Sequence, residues 1–85
     1  MLQIEYRRAA RKALTKLPRA VADQFLAAFE ALATDPGRRD LDVKPMIARD
    51  GHRLRIGRYR ALFRIERDRM VILVLEIGPR GDVYK

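Results

Sequence analysis

The sequence predicts an α+β domain: an N-terminal strand and a helical hairpin packed on a twisted, mainly antiparallel four-stranded sheet. Three observations predict it. Apolar residues alternate in steps of two near the start, take a helical period from Arg7 onward, and return to alternation after Gly51. A strand, then two helices, then a run of strands segregates the helices to one face of the sheet. No repeat, low-complexity tract or linker interrupts the 85 residues, so residues 1–85 read as one small domain.

Taken in order, Leu2-Gln3-Ile4-Glu5-Tyr6 alternates as a half-buried strand does. Ala10, Ala13, Leu14 and Leu17 then fall on one helical face, with Arg8, Arg11, Lys12 and Lys16 lying away from it. Pro18 suits the first turn of a second helix, whose apolar stripe is Val21, Phe25, Phe29 and Leu32. Asp35-Pro36-Gly37 ends that helix. Residues 38–50 read as a polar connection tacked to the core by Leu41, Val43, Met46 and Ile47. Strands follow at about 52–56, 59–66 and 70–77, with turns at Gly57-Arg58 and Arg67-Asp68-Arg69. The last strand, apolar on both faces from Met70 to Leu75, belongs in the middle of the sheet. Gly78-Pro79 is expected to break it, leaving a short polar tail.

The charge balance narrows the function. Nineteen basic residues against eleven acidic ones give a net charge of +8, and fifteen of the basic residues are arginine. Such an excess attracts nucleic acid, an anionic membrane surface or an acidic protein. Cysteine is absent and His52 is the only histidine, which removes disulfides, zinc–thiolate sites and a two-histidine ribonuclease. No metal or other cofactor is expected. The start of the chain lacks the apolar core of a signal peptide, and the longest apolar run cannot span a bilayer. The chain therefore reads as cytoplasmic, with no membrane partner.

Six arginines fall within residues 49–64, and several alternate with apolar residues. On strands this pattern gathers guanidinium groups on one surface while Leu54, Ile56, Ala61 and Phe63 anchor the other. A planar, permanently charged fork repeated on a rigid sheet is suited to phosphate. Arg53, Arg55, Arg58 and Arg64 are accordingly candidate phosphate ligands, with Arg58 and Arg64 equally suited to a protein partner.

Two segments carry a resemblance. His52-Arg53-Leu54-Arg55-Ile56-Gly57-Arg58-Tyr59-Arg60-Ala61-Leu62-Phe63 resembles the basic strand pair of the RelE/ParE toxin superfamily of type II toxin–antitoxin systems. Ile77-Gly78-Pro79-Arg80-Gly81-Asp82-Val83-Tyr84 is similar to the closing segment of RelE-type members. The resemblance extends from Leu2 to Tyr84. It implies a ribosome-dependent, metal-independent endoribonuclease that cleaves messenger RNA and halts translation. It also implies a small acidic antitoxin as cognate partner, with toxin and antitoxin joined in a hetero-oligomer, and the ribosome and messenger RNA as further partners.

By motif position, the resemblance makes Tyr84 the general base and Arg60 and Arg80 the stabilisers of phosphate and transition state. The ribose 2′-OH would attack the adjacent phosphorus as the 5′-oxygen leaves. An unperturbed phenol, with a pKa of about 10, is a poor base at neutral pH, and neighbouring arginines would lower that value. Arg53 and Arg55 stand where relatives often carry lysine, and they hold phosphate without releasing a proton. A water, or His52 if it reaches, would then protonate the leaving group. Plainer roles exist: Tyr84 capping the sheet, or Arg60 and Arg80 pairing with Glu66, Glu76 or Asp82. Two other functions compete with the nuclease, a ParE-like poison of DNA gyrase and a non-catalytic basic module that binds RNA or antitoxin.

Overall fold

The computed structural model describes residues 1–79. Its elements are β1 (Gln3–Tyr6), α1 (Arg8–Lys16), α2 (Arg19–Thr34), β2 (Val43–Pro45), β3 (His52–Ile56), β4 (Tyr59–Glu66) and β5 (Val71–Pro79). The sheet has the order β1-β5-β4-β3-β2, antiparallel throughout except for the parallel β1–β5 pair. Both helices lie on one face, as the order of hydrophobic periods predicts.

Leu17 takes an extended conformation at the end of α1, as a residue before proline prefers. Pro18 caps α2 one position before its first turn, and its carbonyl accepts hydrogen bonds from Val21 and Ala22. The main core lies between the helices and the sheet. Ala10, Phe25, Ala28, Phe29, Leu32 and Ala33 pack there against Leu54, Ala61, Phe63, Ile72, Val74 and Ile77. Phe29 makes edge-to-face contacts with Tyr6 and Phe63 at ring-centroid distances of 6.1 and 5.4 Å. A smaller cluster of Leu62, Val71, Leu73 and Leu75, with Met46 against it, occupies the opposite face.

Two expectations need correction. The sheet has five strands and not four, because Val43–Pro45 within the connection pairs with β3. Three residues are too few for a period of two to be visible, and Pro45 argues against a strand unless it lies at an edge, as here. The last strand also runs through Gly78 and Pro79, opposite Arg60 and Tyr59. Among the described residues β4 is its only neighbour beyond Val74, so the proline interrupts no second described ladder.

The turns are built from unusual backbone. Gly57 has φ of +57° at the first of two residues joining β3 to β4, a position where a tight hairpin favours glycine. Gly51 has φ of +126°, and a Cβ there would lie 2.7 Å from the Phe63 carbonyl oxygen. Between Leu62 and Phe63 the β4–β5 register shifts, leaving Leu75 as an extra residue on β5. This bulge switches which residues of β5 face the helices: Ile72 and Val74 before it, Ile77 after it.

Candidate nucleic-acid interface

The sheet face away from the helices collects the basic residues. On β3, Leu54 and Ile56 point toward the helices, so Arg53 and Arg55 point to the open side. On β4, Tyr59, Ala61 and Phe63 pack on the helix side, leaving Arg60, Leu62 and Arg64 on the other. Register then sets who meets whom. Arg55 lies directly opposite Arg60, and Arg53 lies between Leu62 on β4 and Lys44 on β2. Lys44, Arg53, Arg55 and Arg60 therefore share one surface spanning three strands.

Arg60 is the most constrained of these groups, at 1% exposure the largest fully buried side chain in the described residues. On its other flank stands Gly78 of β5. Arg55 is half-buried, and its Nε makes no hydrogen bond among the described residues. Like charges on directly opposed residues of paired strands repel. A phosphate at Arg55 would meet a planar donor whose Nε is unused among the described residues.

The remaining candidates lie around this pair. Arg58 is exposed in the hairpin turn beside it. Arg64 sits toward the other end of β4, 3.6 Å from Glu66, which also accepts a hydrogen bond from Arg69. Arg69 reaches on to Glu5 of β1 at 2.9 Å. Arg64 thus belongs to a chain of alternating charges, and its guanidinium is partly committed there. Glu76 is exposed opposite Leu62, one residue past the bulge.

The sequence offers His52 only as an alternative to water as proton donor, and its placement speaks against that role. It stacks on Phe63, with centroids 5.6 Å apart, on the helix side of the sheet. Its ring therefore cannot reach a leaving group held on the arginine face. Arg80 and Tyr84, the other two candidate catalytic residues, lie outside the described residues, as does Asp82. Lys44 was not legible as part of this surface, because the strand that carries it is too short to read. Its neighbour Pro45 and the polar residues around it resemble a loop.

No group of three or more His, Cys, Asp and Glu side chains among the described residues could hold a metal ion. No described helix is long and apolar enough to cross a membrane.

Comparison with known proteins agrees with this fold. The family model of the ParE toxin of type II toxin–antitoxin systems matches residues 4–84. Among solved structures, the chain is similar to the RelBE2 toxin–antitoxin complex of Mycobacterium tuberculosis, with 27% identity and a TM-score of 0.76. That match covers 93% of this chain and 98% of the other. The RelE–RelB complex of Pyrococcus horikoshii is also 27% identical, with a TM-score of 0.75 over 94% and 96% of the two chains. The isolated RelE toxin of Escherichia coli, 19% identical, shares the fold with a TM-score of 0.75 over 99% and 92%. No curated protein sequence matches the chain.

Proposed function

The chain belongs to the RelE/ParE toxin superfamily of type II toxin–antitoxin systems, and from that premise we propose that it is a ribosome-dependent messenger RNA endoribonuclease. The observation that carries this reading is the buried Arg60 set directly opposite Arg55, with Arg53 and Lys44 alongside on the sheet face away from the helices. Such a surface grips a single-stranded phosphate backbone and supplies fixed positive charge where a phosphorane develops.

In this mechanism Arg60 and Arg80 hold the scissile phosphate, and Tyr84, as phenolate, takes the proton from the 2′-OH. The oxygen attacks phosphorus, the bond to the 5′-oxygen breaks, and a 2′,3′-cyclic phosphate remains. With His52 on the far side of the sheet, a water donates the proton to the departing oxygen. Arg53, Arg55 and Lys44 steady the flanking phosphates. The natural inhibitor would be a small acidic antitoxin that covers the arginine face, and the setting would be the cytoplasm.

Acid–base groups typically contribute about 10²–10⁴-fold each. Tyr84→Phe and Arg80→Ala are each expected to relieve growth inhibition while antitoxin binding persists. Full toxicity in the double variant discards the assignment.

One observation favours a second reading. The family model that matches is described by its ParE member, and a gyrase poison would use the same basic fold without cutting RNA. Expression of the toxin separates the two. Cleaved, ribosome-bound messages support the nuclease, whereas stalled replication with a DNA-damage response supports the poison.

A further inference from the structure

We propose that the tip of the β2–β3 loop is an apolar anchor for the antitoxin, seating an aliphatic side chain of an acidic segment that lies across the arginine face. Ile47 belongs to this tip, and it is the most exposed large apolar residue among those described. Ala48, Arg49 and Asp50 follow it, all exposed. A single exposed apolar residue is ordinary by itself. What sets Ile47 apart is how firmly the base of its loop is fixed, and where that base sits.

The Met46 N–H donates to the Gly51 carbonyl oxygen at 3.0 Å and closes the loop. The Met46 side chain packs onto Leu62, Val71, Leu73 and Leu75, on the sheet face away from the helices. Gly51 fits so closely that a Cβ there would lie 2.9 Å from the Met46 Cε and 3.2 Å from the Arg64 Cγ. Residues 47–50 are therefore held at both ends beside Arg64, at the edge of the face that carries Lys44, Arg53 and Arg55. An apolar group fixed in this way loses little freedom when a partner covers it, so its burial adds to affinity.

The chemistry of the tip selects a protein and not a nucleic acid. Arg49 and Asp50 cancel in charge, so the tip adds nothing to the pull on a phosphate backbone. It carries no aromatic ring on which a base could stack. Ile47 gains only from an apolar surface. The cations beside the loop fix the rest of the occupant, which needs carboxylates to meet Lys44, Arg53 and Arg55. An acidic segment with an aliphatic side chain satisfies both demands, whereas RNA on the same face meets the cations alone. Ile47 thus separates inhibitor from substrate on a surface they share. Naming the inhibitor an antitoxin and the substrate RNA rests on the reading above.

The test uses the full chain with a short glutamate-rich peptide containing leucine, the same peptide with serine in place of leucine, and a single-stranded RNA oligonucleotide. Wild-type protein is expected to bind the leucine peptide about tenfold more tightly than the serine peptide. That preference should vanish in Ile47→Ser and return in Ile47→Leu, a cycle that isolates the apolar contact. Both variants should hold the oligonucleotide as wild type does and keep its melting temperature, because position 47 is fully exposed. Equal binding of the two peptides by wild type overturns the proposal, as does a preference that survives Ile47→Ser. Weaker oligonucleotide binding in Ile47→Ser also overturns it, by making Ile47 an RNA contact. So does a shift from dimer to monomer in sedimentation, which would make the tip a contact between copies. Message cleavage is scored separately. Protein that prefers the leucine peptide yet cuts nothing sinks the nuclease reading and leaves the anchor standing, and cleavage without the preference does the reverse.

Discussion

Arg55 lies directly opposite Arg60 across β3 and β4, so two like charges face each other. Arg55→Gln removes one charge, keeps most of the aliphatic stem, and is expected to stabilise the fold by about 0.2–1 kcal/mol. The same change should weaken binding of single-stranded RNA. Thermal melting and oligonucleotide titration of one variant measure both, and a fall in both would mean that Arg55 serves the fold. Tyr6 makes a different residue-scale prediction. Burial, with Glu30 adding to it, pushes its phenol up to about 12 from an ordinary 10.0. The neutral phenol is the form the fold prefers. Its contribution is therefore complete below about pH 10 and is lost as pH rises toward 12. Tyr6→Phe should flatten that part of the stability profile, read by denaturant melts at several alkaline pH values.

Gly51 decides the geometry of an element, the entry to β3. Its φ of +126° suits glycine, and an added Cβ would lie 2.7 Å from the Phe63 carbonyl oxygen and 2.9 Å from the Met46 side chain. Gly51→Ala is expected to cost about 2–6 kcal/mol, the sum of backbone strain and overpacking, visible as a fall in melting temperature. The long elements were legible in the sequence because each has enough residues to display its period. Phe25, Phe29 and Leu32 repeat on one helical face, and Arg53, Leu54 and Arg55 alternate as a strand. β2 was not legible, since its pairing is specified by β3 and not by its own pattern. The extension of β5 through Pro79 escaped for a related reason: local turn chemistry was outweighed by the continued ladder from Tyr59 and Arg60. Within the candidate site, alternation pointed to Arg53 and Arg55 and the family resemblance to Arg60, whereas Lys44 depended on a neighbour in space. His52 has the parity of Leu54, so the same alternation that exposed the arginines placed its ring against Phe63.

On the scale of the whole molecule, charge is divided between two sides while apolar residues fill the layer between helices and sheet. The sheet surface offers a flat array of opposed guanidinium groups, and α1 offers a convex stripe. The bulge at Leu75 bears on how such a molecule tolerates change in length. Because that residue has no partner on β4, a chain lacking it can join Val74 to Glu76 and preserve every other pairing from Tyr59 to Glu66. Deleting Leu75 should thus forfeit a buried side chain and some local twist while Arg60 stays abreast of Gly78. Cross-strand nuclear Overhauser contacts in the shortened protein would reveal the conserved alignment, making this a point where natural insertions and deletions can pass without turning the sheet inside out.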